Sequence, residues 1–302
     1  GLSSDAEADL EVMAIAIKKL VLDTRVTTKE VNASLPESQI FSRVIKMPGL
    51  TEAELGSAIK WEAEQYIPMP LTEIKMDYAV LPSSQKDRKV NEVLLVAAPL
   101  TLIEKYKKVL EMAGLKPVSL EPEIMALSRS LIDSESLPTL IINLGAKTTD
   151  LAIIRKGFLT FTRSISSGGE TLVKAVARDM GLEFSQAEEY KRTYGLEEDK
   201  LEGKILAAVK PILDAMIDEA RRSIIFYQEN YPEDHLQVVS LCGGTAKLPG
   251  LGTYLAQNLA LEAQIGNPWI KVGVNPKFFP HINEEGPIFA VSCGLAMKAG
   301  VS

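Results

Sequence analysis

The chain has 302 residues, and a prior of about 150 residues per domain predicts two domains. Lysine and arginine total 33 against 40 acidic residues, which gives a net charge of −7 and a pI near 5.2. Binding to a nucleic-acid backbone or to an anionic membrane by charge requires clustered positive residues, so the composition argues against both functions.

Cysteines, histidines and hydropathy argue against several further classes of protein. Cys242 and Cys293 are too few for a disulfide framework and lack zinc-site spacing, so we expect two buried free thiols in a reducing compartment. His235 and His281 form no ligand motif and are expected at the surface. No uncharged apolar run is long enough to span a membrane, and we expect no signal peptide. The start at Gly1 rather than at a methionine suggests a fragment or the scar of a tag.

The first 135 residues predict a mixed α+β module behind one amphipathic helix. Apolar residues at helical spacing predict that helix over 5–22, opened by a capping box of Ser4 and Glu7. A second capping box at Thr51 and Glu54 opens a helix that prolines stop after Tyr66. The remaining predicted elements are strands at 31–35, 41–47, 74–81, 90–98 and 118–120, a polar hairpin at 83–89, and a helix at 100–113.

Beyond residue 137 the pattern predicts a three-stranded meander followed by helices. The strands are expected at 139–144, 150–154 and 158–165, and helices at 170–180, at about 185–195 and at 204–228. A capping box of Ser185 and Glu188 would open the second of these helices, and Pro211 predicts a kink in the third or a later start. A strand at 237–241 and helices at 251–259 and 287–298 complete the prediction.

A glycine loop joins two of these strands over Asn143–Asp150. A tight turn between strands points several amide hydrogens into one concavity, which can hold a phosphate, and Thr148 and Thr149 add hydroxyl donors. The alternative is an ordinary hairpin in which Gly145 only supplies a positive φ.

A second glycine loop follows the later strand, at Gly243 and Gly244. Glycines there let a flat ligand approach the backbone, although a crowded strand–helix crossover is the alternative. A third pair, Gly168 and Gly169, opens a helix whose start would attract anions, an attraction that Glu170 weakens. The sequence contains no Walker loop, no dinucleotide fingerprint and no Ser/His/Asp pattern.

Together the two main loops resemble the second phosphate motif and the adenosine motif of the actin-like ATPase superfamily, which includes sugar kinases and heat-shock chaperones. Three further stretches are similar to the PilM family of cytoplasmic type IV pilus assembly proteins: Lys60–Pro70, Ala187–Gly195 and Asn267–Trp269. These stretches occur in the family's order, and the final helix also fits the family.

The resemblance implies a two-lobed α/β fold, actin-like and ribonuclease H-like, with an inserted small α+β subdomain of the FtsA and PilM type. Residues 1–26 would be a remnant of the core subdomain of the first lobe, whose N-terminal strands are missing. Residues 27–135 would form the inserted subdomain, 136–284 the second lobe, and 285–302 a C-terminal helix that returns to the first lobe. ATP with Mg²⁺ would bind in the cleft between the lobes.

The resemblance also assigns the residues that would contact ATP. The loop around Gly145 would hold the β- and γ-phosphates, the Gly243 loop would lie beneath adenine and ribose, and Glu188 and Lys191 would flank the nucleoside. The full set of candidates is Asn143, Gly145, Ala146, Lys147, Thr148, Thr149, Gly168, Gly169, Glu188, Lys191, Gly243, Gly244, Thr245 and Lys247. No residue is assigned as catalytic or as a metal ligand.

Two departures from the superfamily pattern predict little or no ATP hydrolysis. The early Asp-x-Gly loop that forms half of the phosphate clamp in the superfamily is absent from this sequence. The aspartate of the second phosphate motif is Asn143 here, and an amide neither accepts a proton from water nor holds Mg²⁺ as a carboxylate does. Phosphoryl transfer depends mainly on positioned charge, so both losses should slow it many-fold.

The resemblance implies a scaffold that binds the short cytoplasmic N-terminus of PilN, a single-span membrane protein, in a groove between the core subdomain and the small module. Trp61, Tyr66 and Ile67 are candidates for that groove, with packing of their helix on its own sheet as the alternative. Other pilus platform proteins and motor ATPases are further expected partners, whereas nucleic acid and direct membrane insertion are not. We therefore expect a cytoplasmic protein held at the inner membrane by its partner.

The same fold admits three other functions. A division filament protein like FtsA usually ends in a basic amphipathic membrane tail, which residues 296–302 do not form. A small-molecule kinase requires an acidic base and an intact phosphate clamp, neither of which is found. A related cytoplasmic component of type II secretion stays open.

Overall fold

The computed structural model describes residues 2, 4–82, 90–133, 135–275 and 277–298, without the side chains at positions 52, 53, 280 and 281. The chain divides into two compact units, Gly1–Ala126 with Leu295–Ser302, and Leu127–Gly294. This division is coarser than the four predicted segments, whose boundaries stay predictions. The hairpin predicted at 83–89 lies outside the described residues.

In the described part of the first unit, the five strands predicted from the apolar runs are present, and they form two sheets. Its strands are β1 (Glu30–Leu35), β2 (Phe41–Pro48), β3 (Ile74–Leu81), β4 (Val90–Pro99) and β5 (Lys116–Pro122). Its helices are α1 (Glu7–Asp23), α2 (Glu52–Tyr66) and α3 (Leu100–Met112), and α4 (Glu123–Leu131) leads into the second unit. Strands β2, β4 and β3 form an antiparallel sheet in that order, and β1 pairs with β5 in parallel.

The core of the antiparallel sheet lies beneath α2. Ile59 and Ala63 of α2 are fully buried together with Val93 and Leu95 of β4. The predicted capping box of α2 is confirmed, because the Thr51 backbone amide donates to the Glu54 carboxylate at 2.9 Å. These contacts attach the helix to one face of the sheet.

Helix α1 packs on α3, but its predicted N-terminal capping box is wrong. Ala6 is the N-cap residue, and its amide donates to the Ser4 hydroxyl at 3.1 Å. The Glu7 carboxylate accepts from Lys108 of α3 and does not reach back to residue 4. The tertiary ion pair thus takes the acceptor that a capping box needs.

The second unit is built on a five-stranded mixed sheet in the order β10-β9-β6-β7-β8. These strands are β6 (Thr139–Leu144), β7 (Thr149–Arg155), β8 (Phe158–Ile165), β9 (Val238–Cys242) and β10 (Glu262–Ile265). The predicted meander of β6, β7 and β8 is confirmed as antiparallel, whereas β9 and β10 run parallel to β6 and to each other. The strand β10 was not predicted.

The described residues of the second unit also form the helices α5 (Gly169–Met180), α6 (Phe184–Tyr194), α7 (Lys204–Asn230), α8 (Leu251–Leu259), α9 (Phe279–Ile282) and α10 (Gly286–Ala296). The last residues of α10 belong to the first unit. Helix α7 starts at Lys204 and continues through Pro211, so the later start is wrong. Pro211 removes one backbone hydrogen bond, while Val209 and Leu213 on either side of it are buried and hold the helix in place.

Helix α6 starts with a different capping box from the predicted one. Glu183 is its N-cap residue and Gln186 the partner, with the Glu183 amide donating to the Gln186 side chain at 3.3 Å. The prediction placed the box at Ser185 and Glu188, two residues later. The helix therefore gains an additional half-turn at its start.

Cysteine and histidine positions largely follow the sequence expectations. Both cysteines are free thiols, but Cys293 is half-buried whereas Cys242 is buried. His235 is exposed, and the side chain of His281 lies outside the description. In the described part of the chain, no helix combines the length and apolar character that crossing a bilayer requires.

Candidate functional site

The two main glycine loops lie side by side at the carboxyl ends of β6 and β9 in the five-stranded sheet. Strands β6 and β9 are parallel neighbours, with Asn143 opposite Cys242, so the chain leaves both strands at the same edge. Gly243 adopts a φ of +84°, and an ideal Cβ on it would lie 2.5 Å from the Leu144 carbonyl oxygen. The two loops therefore meet within this unit, and their close approach requires glycine at 243.

The first loop is a closed turn in which Gly145 packs closely against the backbone of Thr148. The Gly145 amide donates to the Thr148 carbonyl at 2.9 Å, and an ideal Cβ on Gly145 would lie 3.1 Å from the same oxygen. Gly145 is not among the glycines with a positive φ, so the interpretation that it only supplies such a φ is wrong. The Ala146 and Lys147 side chains are exposed, while the buried Thr149 hydroxyl donates to the Ser167 carbonyl at 2.8 Å.

The glycine pair at 168 and 169 joins the first loop to the start of α5. The Gly169 amide donates to the Gly145 carbonyl at 2.9 Å, and the Glu170 amide donates to the Ala146 carbonyl at 2.8 Å. An ideal Cβ on Gly168 would lie 2.7 Å from the Gly145 and Ala146 carbonyl oxygens. These amides already have acceptors, so this helix start offers fewer donors to an anion than the sequence suggested.

A buried carboxylate that the sequence analysis did not single out lies beneath the first loop. Asp150 is 3% exposed, and its Oδ1 accepts from the Ser164 hydroxyl at 2.5 Å. Burial raises the pKa of Asp150, against the lowering effect of hydrogen bonds from Ser164, Asn143 and Thr148. Its position opposite Asn143 on the predicted hairpin is the signal that could have identified it.

A cavity of about 820 Å³ adjoins the loops within the second unit. It is lined by one face of α6, by the turn after β9 and by the start of α10. Five predicted residues line it: Glu188, Lys191, Gly244, Thr245 and Lys247. The lining residues that the sequence analysis missed are Ser185, Glu189, Arg192, Leu248, Glu285 and Ile288.

Lys191 and Thr245 connect the cavity to the glycine loops. Lys191 is 9% exposed, and its amine donates to the Gly169 carbonyl at 3.4 Å. Burial lowers the pKa of Lys191, and the nearby Glu188 opposes this effect. The buried Thr245 hydroxyl lies 2.5 Å from the position of an ideal Cβ on Gly169, so α5 and the second loop are in close contact.

The predicted residues thus separate into the cavity group and an adjoining loop group. The residues of the loop group do not line the cavity: Asn143, Gly145, Ala146, Lys147, Thr148, Thr149, Gly168, Gly169 and Gly243. The contact of Thr245 with Gly169 and the hydrogen bond from Lys191 to the Gly169 carbonyl connect the two groups. The cavity and the loops therefore adjoin each other within the second unit.

The candidates for partner binding lie in the first unit, around the end of α2. Trp61 is 74% exposed, which is unusual for so large an apolar side chain. Tyr66 is half-buried, and the Arg43 guanidinium lies 4.7 Å from the centre of its ring. Ile67 is 5% exposed and packs in the core beneath α2, so its side chain is placed for packing.

Comparisons with known proteins give a consistent family assignment. A family model described as type IV pilus assembly protein PilM matches residues 2–300. The solved PilM–PilN type IV pilus biogenesis complex contains a chain that is 32% identical, with a TM-score of 0.84 over 98% of this chain and 86% of that one.

More distant relatives share the fold. FtsA, a cell division protein of Neisseria meningitidis serogroup B, is 21% identical over 99% of this chain and 80% of its own length. The ethanolamine utilization protein EutJ of Escherichia coli K12 is 29% identical over 47% of this chain and 45% of its own length. MreB5 of Spiroplasma citri, solved bound to ADP, is 18% identical, with a TM-score of 0.54 over 96% of this chain and 75% of that one. The predicted actin-like α/β fold is therefore confirmed.

Proposed function

The chain belongs to the PilM family of type IV pilus assembly proteins, and on that premise we propose that it is a scaffold of the pilus assembly machinery. It binds the N-terminal cytoplasmic peptide of a PilN-type membrane protein, and it holds ATP with little or no hydrolysis. The observation that supports the nucleotide part is the parallel pairing of β6 with β9, which brings the first glycine loop next to the second, whose residues Gly244 and Thr245 line the cavity.

Nucleotide binding follows from the shape and donors of the site. The cavity of about 820 Å³ lies within the size range of small-molecule pockets, about 300–1,000 Å³. Gly244 and Thr245 line it, which suits a base and ribose lying against the backbone, and the buried Lys191 amine supplies a desolvated cation. The first loop would receive the phosphates, with Lys147 and Thr148 as side-chain donors.

Slow hydrolysis follows from the groups around the first loop. Asn143 offers an amide where the superfamily pattern has a carboxylate, and the carboxylate of Asp150 is buried among hydrogen bonds. Among the described residues, no cluster of three or more His, Cys, Asp or Glu is arranged to hold a metal ion. In the proposed complex, Mg²⁺ would arrive with the nucleotide, bound to its phosphates, where it would neutralise charge.

The partner proposal rests on the family and on the surface near the end of α2. The related chain was solved as a PilM–PilN complex, and a short peptide of a PilN-type protein is the partner we propose here. We propose that the exposed Trp61 and the half-buried Tyr66 contact it, because tryptophan and tyrosine supply much of the binding energy of many interfaces. Ile67 packs in the same core as Tyr66, so its proposed role is to support that side chain from within the core.

The same proposal gives the protein its location and its wider partners. A membrane-anchored PilN-type protein would hold the scaffold at the cytoplasmic face of the inner membrane. Other platform proteins and motor ATPases of the pilus machine would assemble around it. The FtsA relatives share the fold as a related family, and a division or type II secretion role stays the alternative.

Two titrations test the proposal. A fluorescent ATP analogue and a synthetic peptide of a PilN-type N-terminus are each titrated into the protein, and phosphate release is followed under saturating Mg-ATP. We expect saturable binding of both ligands and turnover well below the roughly 1–100 per second of kinases. Kinase-like turnover, or absence of binding for either ligand, would contradict the corresponding part of the proposal.

A further inference from the structure

An ion pair borders the cavity and joins two segments that lie 38 positions apart in the sequence. Lys247 Nζ lies 2.7 Å from Glu285 Oε1, and both residues line the cavity. Their side chains are 36% and 45% exposed, which places the pair where the cavity meets solvent.

The backbones that carry this pair are attached to each other. Lys247 ends the short turn Gly244–Lys247 that follows β9, and Glu285 directly precedes α10. Between these segments, the Gly243 amide donates to the Pro287 carbonyl at 2.9 Å. The main chain therefore sets the separation of the two residues, and the ion pair selects the conformation of the long lysine side chain.

We propose that Glu285 is a positioning residue for the nucleoside part of the ligand. By holding the Lys247 ammonium, it presents this lysine to the base end of a bound nucleotide in one conformation. The inference rests on the proposed function of the cavity. The base end is favoured because Lys247 ends the Gly244–Lys247 turn, to which Gly244 and Thr245 also belong, whereas the phosphate loop at 143–149 contributes no lining residue.

The ion pair does not block the space it borders. The cavity measures about 820 Å³ with the pair formed, so the ligand need not break the pair in order to enter. Pre-ordering the lysine in the free protein reduces the conformational entropy lost on binding. Loss of Glu285 should then weaken every ligand that carries the nucleoside, whatever its number of phosphates.

A purely electrostatic role for Glu285 predicts the opposite pattern. If Glu285 acted only as a negative charge near the phosphates, its neutralisation would tighten the binding of ATP more than that of ADP and would leave adenosine unchanged. The dependence of the effect on phosphate number therefore separates the two roles.

The experiment measures the affinities of ATP, ADP and adenosine by calorimetry for wild type, Glu285→Gln, Lys247→Met and the double variant. We expect Glu285→Gln to weaken all three ligands by the same factor of about two to five, the range of partly exposed ion pairs. In the Lys247→Met background, Glu285→Gln should have no further effect, because it acts through that lysine. Glu284→Gln, at an exposed neighbour outside the cavity lining, is the charge-matched control and should bind as wild type.

Equal affinities in Glu285→Gln and wild type, tightening graded with phosphate number, or an undiminished effect in the Lys247→Met background would each overturn the positioning role. Those results would leave the proposed nucleotide function standing, since the wild type still binds. Absence of binding by the wild type to all three ligands would overturn the proposed nucleotide function and this inference with it.

Discussion

Asn143 and Asp150 lie directly opposite each other on β6 and β7, with the amide nitrogen of Asn143 3.5 Å from Asp150 Oδ2. The pair lies at the base of the first glycine loop. The superfamily pattern has an aspartate at the position of Asn143. With an amide there, this site can carry at most the one negative charge of Asp150, where two carboxylates could carry two. This arrangement suits a site that holds a polyphosphate more than one that activates water.

The first prediction concerns the pH dependence of stability at Asp150. Burial raises its pKa, so the folded state binds this proton more tightly than the unfolded state. The stabilisation is complete below the ordinary value of 3.8 and is lost as pH rises through the raised value. Relative to Asp150→Asn, the free energy of unfolding of the wild type should therefore fall as pH rises from 4 to 7, measured by urea titration.

Ser164→Ala provides the matched comparison for that prediction. It removes a hydrogen bond that lowers the pKa of Asp150, so the fall in stability should extend to higher pH than in the wild type. Parallel stability profiles for wild type and Asp150→Asn over this range would show that the carboxyl group is not perturbed by burial.

The second prediction separates the two glycines of the second loop. Gly243→Ala places a Cβ 2.5 Å from the Leu144 carbonyl in a backbone region almost exclusive to glycine, and it should cost about 1–3 kcal/mol of stability or more. Gly244→Ala meets no atom within 4 Å and should change the free energy of unfolding by less than about 0.5 kcal/mol. Since Gly244 lines the cavity, a weaker nucleotide affinity is expected without a folding defect. Equal stabilities of the two variants in urea would contradict the packing described here.

The third prediction concerns the buried amine of Lys191. Its burial lowers its pKa, and its one backbone acceptor lies 3.4 Å away, so Lys191→Met should leave stability unchanged or raise it. Loss of a charged hydrogen-bond donor should weaken nucleotide binding by about tenfold. Lys204→Met, at an exposed lysine of α7, controls for the change in net charge and should bind as wild type. A destabilised Lys191→Met with normal affinity would assign the amine a structural role.

The fourth prediction tests the partner surface on α2. Trp61→Ala and Tyr66→Ala should weaken binding of a PilN-type peptide by about tenfold or more while leaving the circular dichroism spectrum unchanged. Ile67→Ala should lower the free energy of unfolding by about 2–5 kcal/mol, because the side chain is buried in the core. Phe158→Ala, at an exposed aromatic residue of β8, is the control. Unchanged peptide affinity in both folded variants would remove Trp61 and Tyr66 from the interface.

Much of the fold could be predicted because turn residues delimit the apolar runs. Predictions for β2 and α2 came within one or two residues, since Pro48 and the prolines after Tyr66 mark their ends. The strand β10 was missed because only Ala263 and Ile265 are apolar in it, and Ile265 is 49% exposed. Its place in the sheet depends on backbone pairing with β9, which a hydropathy pattern does not record.

The glycine loops of the candidate site could be predicted from the sequence, whereas about half of the residues that line the cavity could not. Adjacent loops on β6 and β9 follow from the motif, whereas Glu285 and Ile288 reach the cavity through long-range packing of α10. Asp150 was missed because, as a residue of a strand, it did not stand out as a polar group of the loop. The capping box predicted at Glu7 is wrong because Lys108, distant in the sequence, pairs with the Glu7 carboxylate that the box requires.

Hydrogen exchange of the backbone amides with and without saturating ATP tests most directly whether the two glycine loops form one nucleotide site. We expect ATP to slow amide exchange in both 145–149 and 243–247 of the same molecule. ADP should protect the second loop to the same degree as ATP. Protection by ATP confined to one loop, or to neither, would contradict a single nucleotide site.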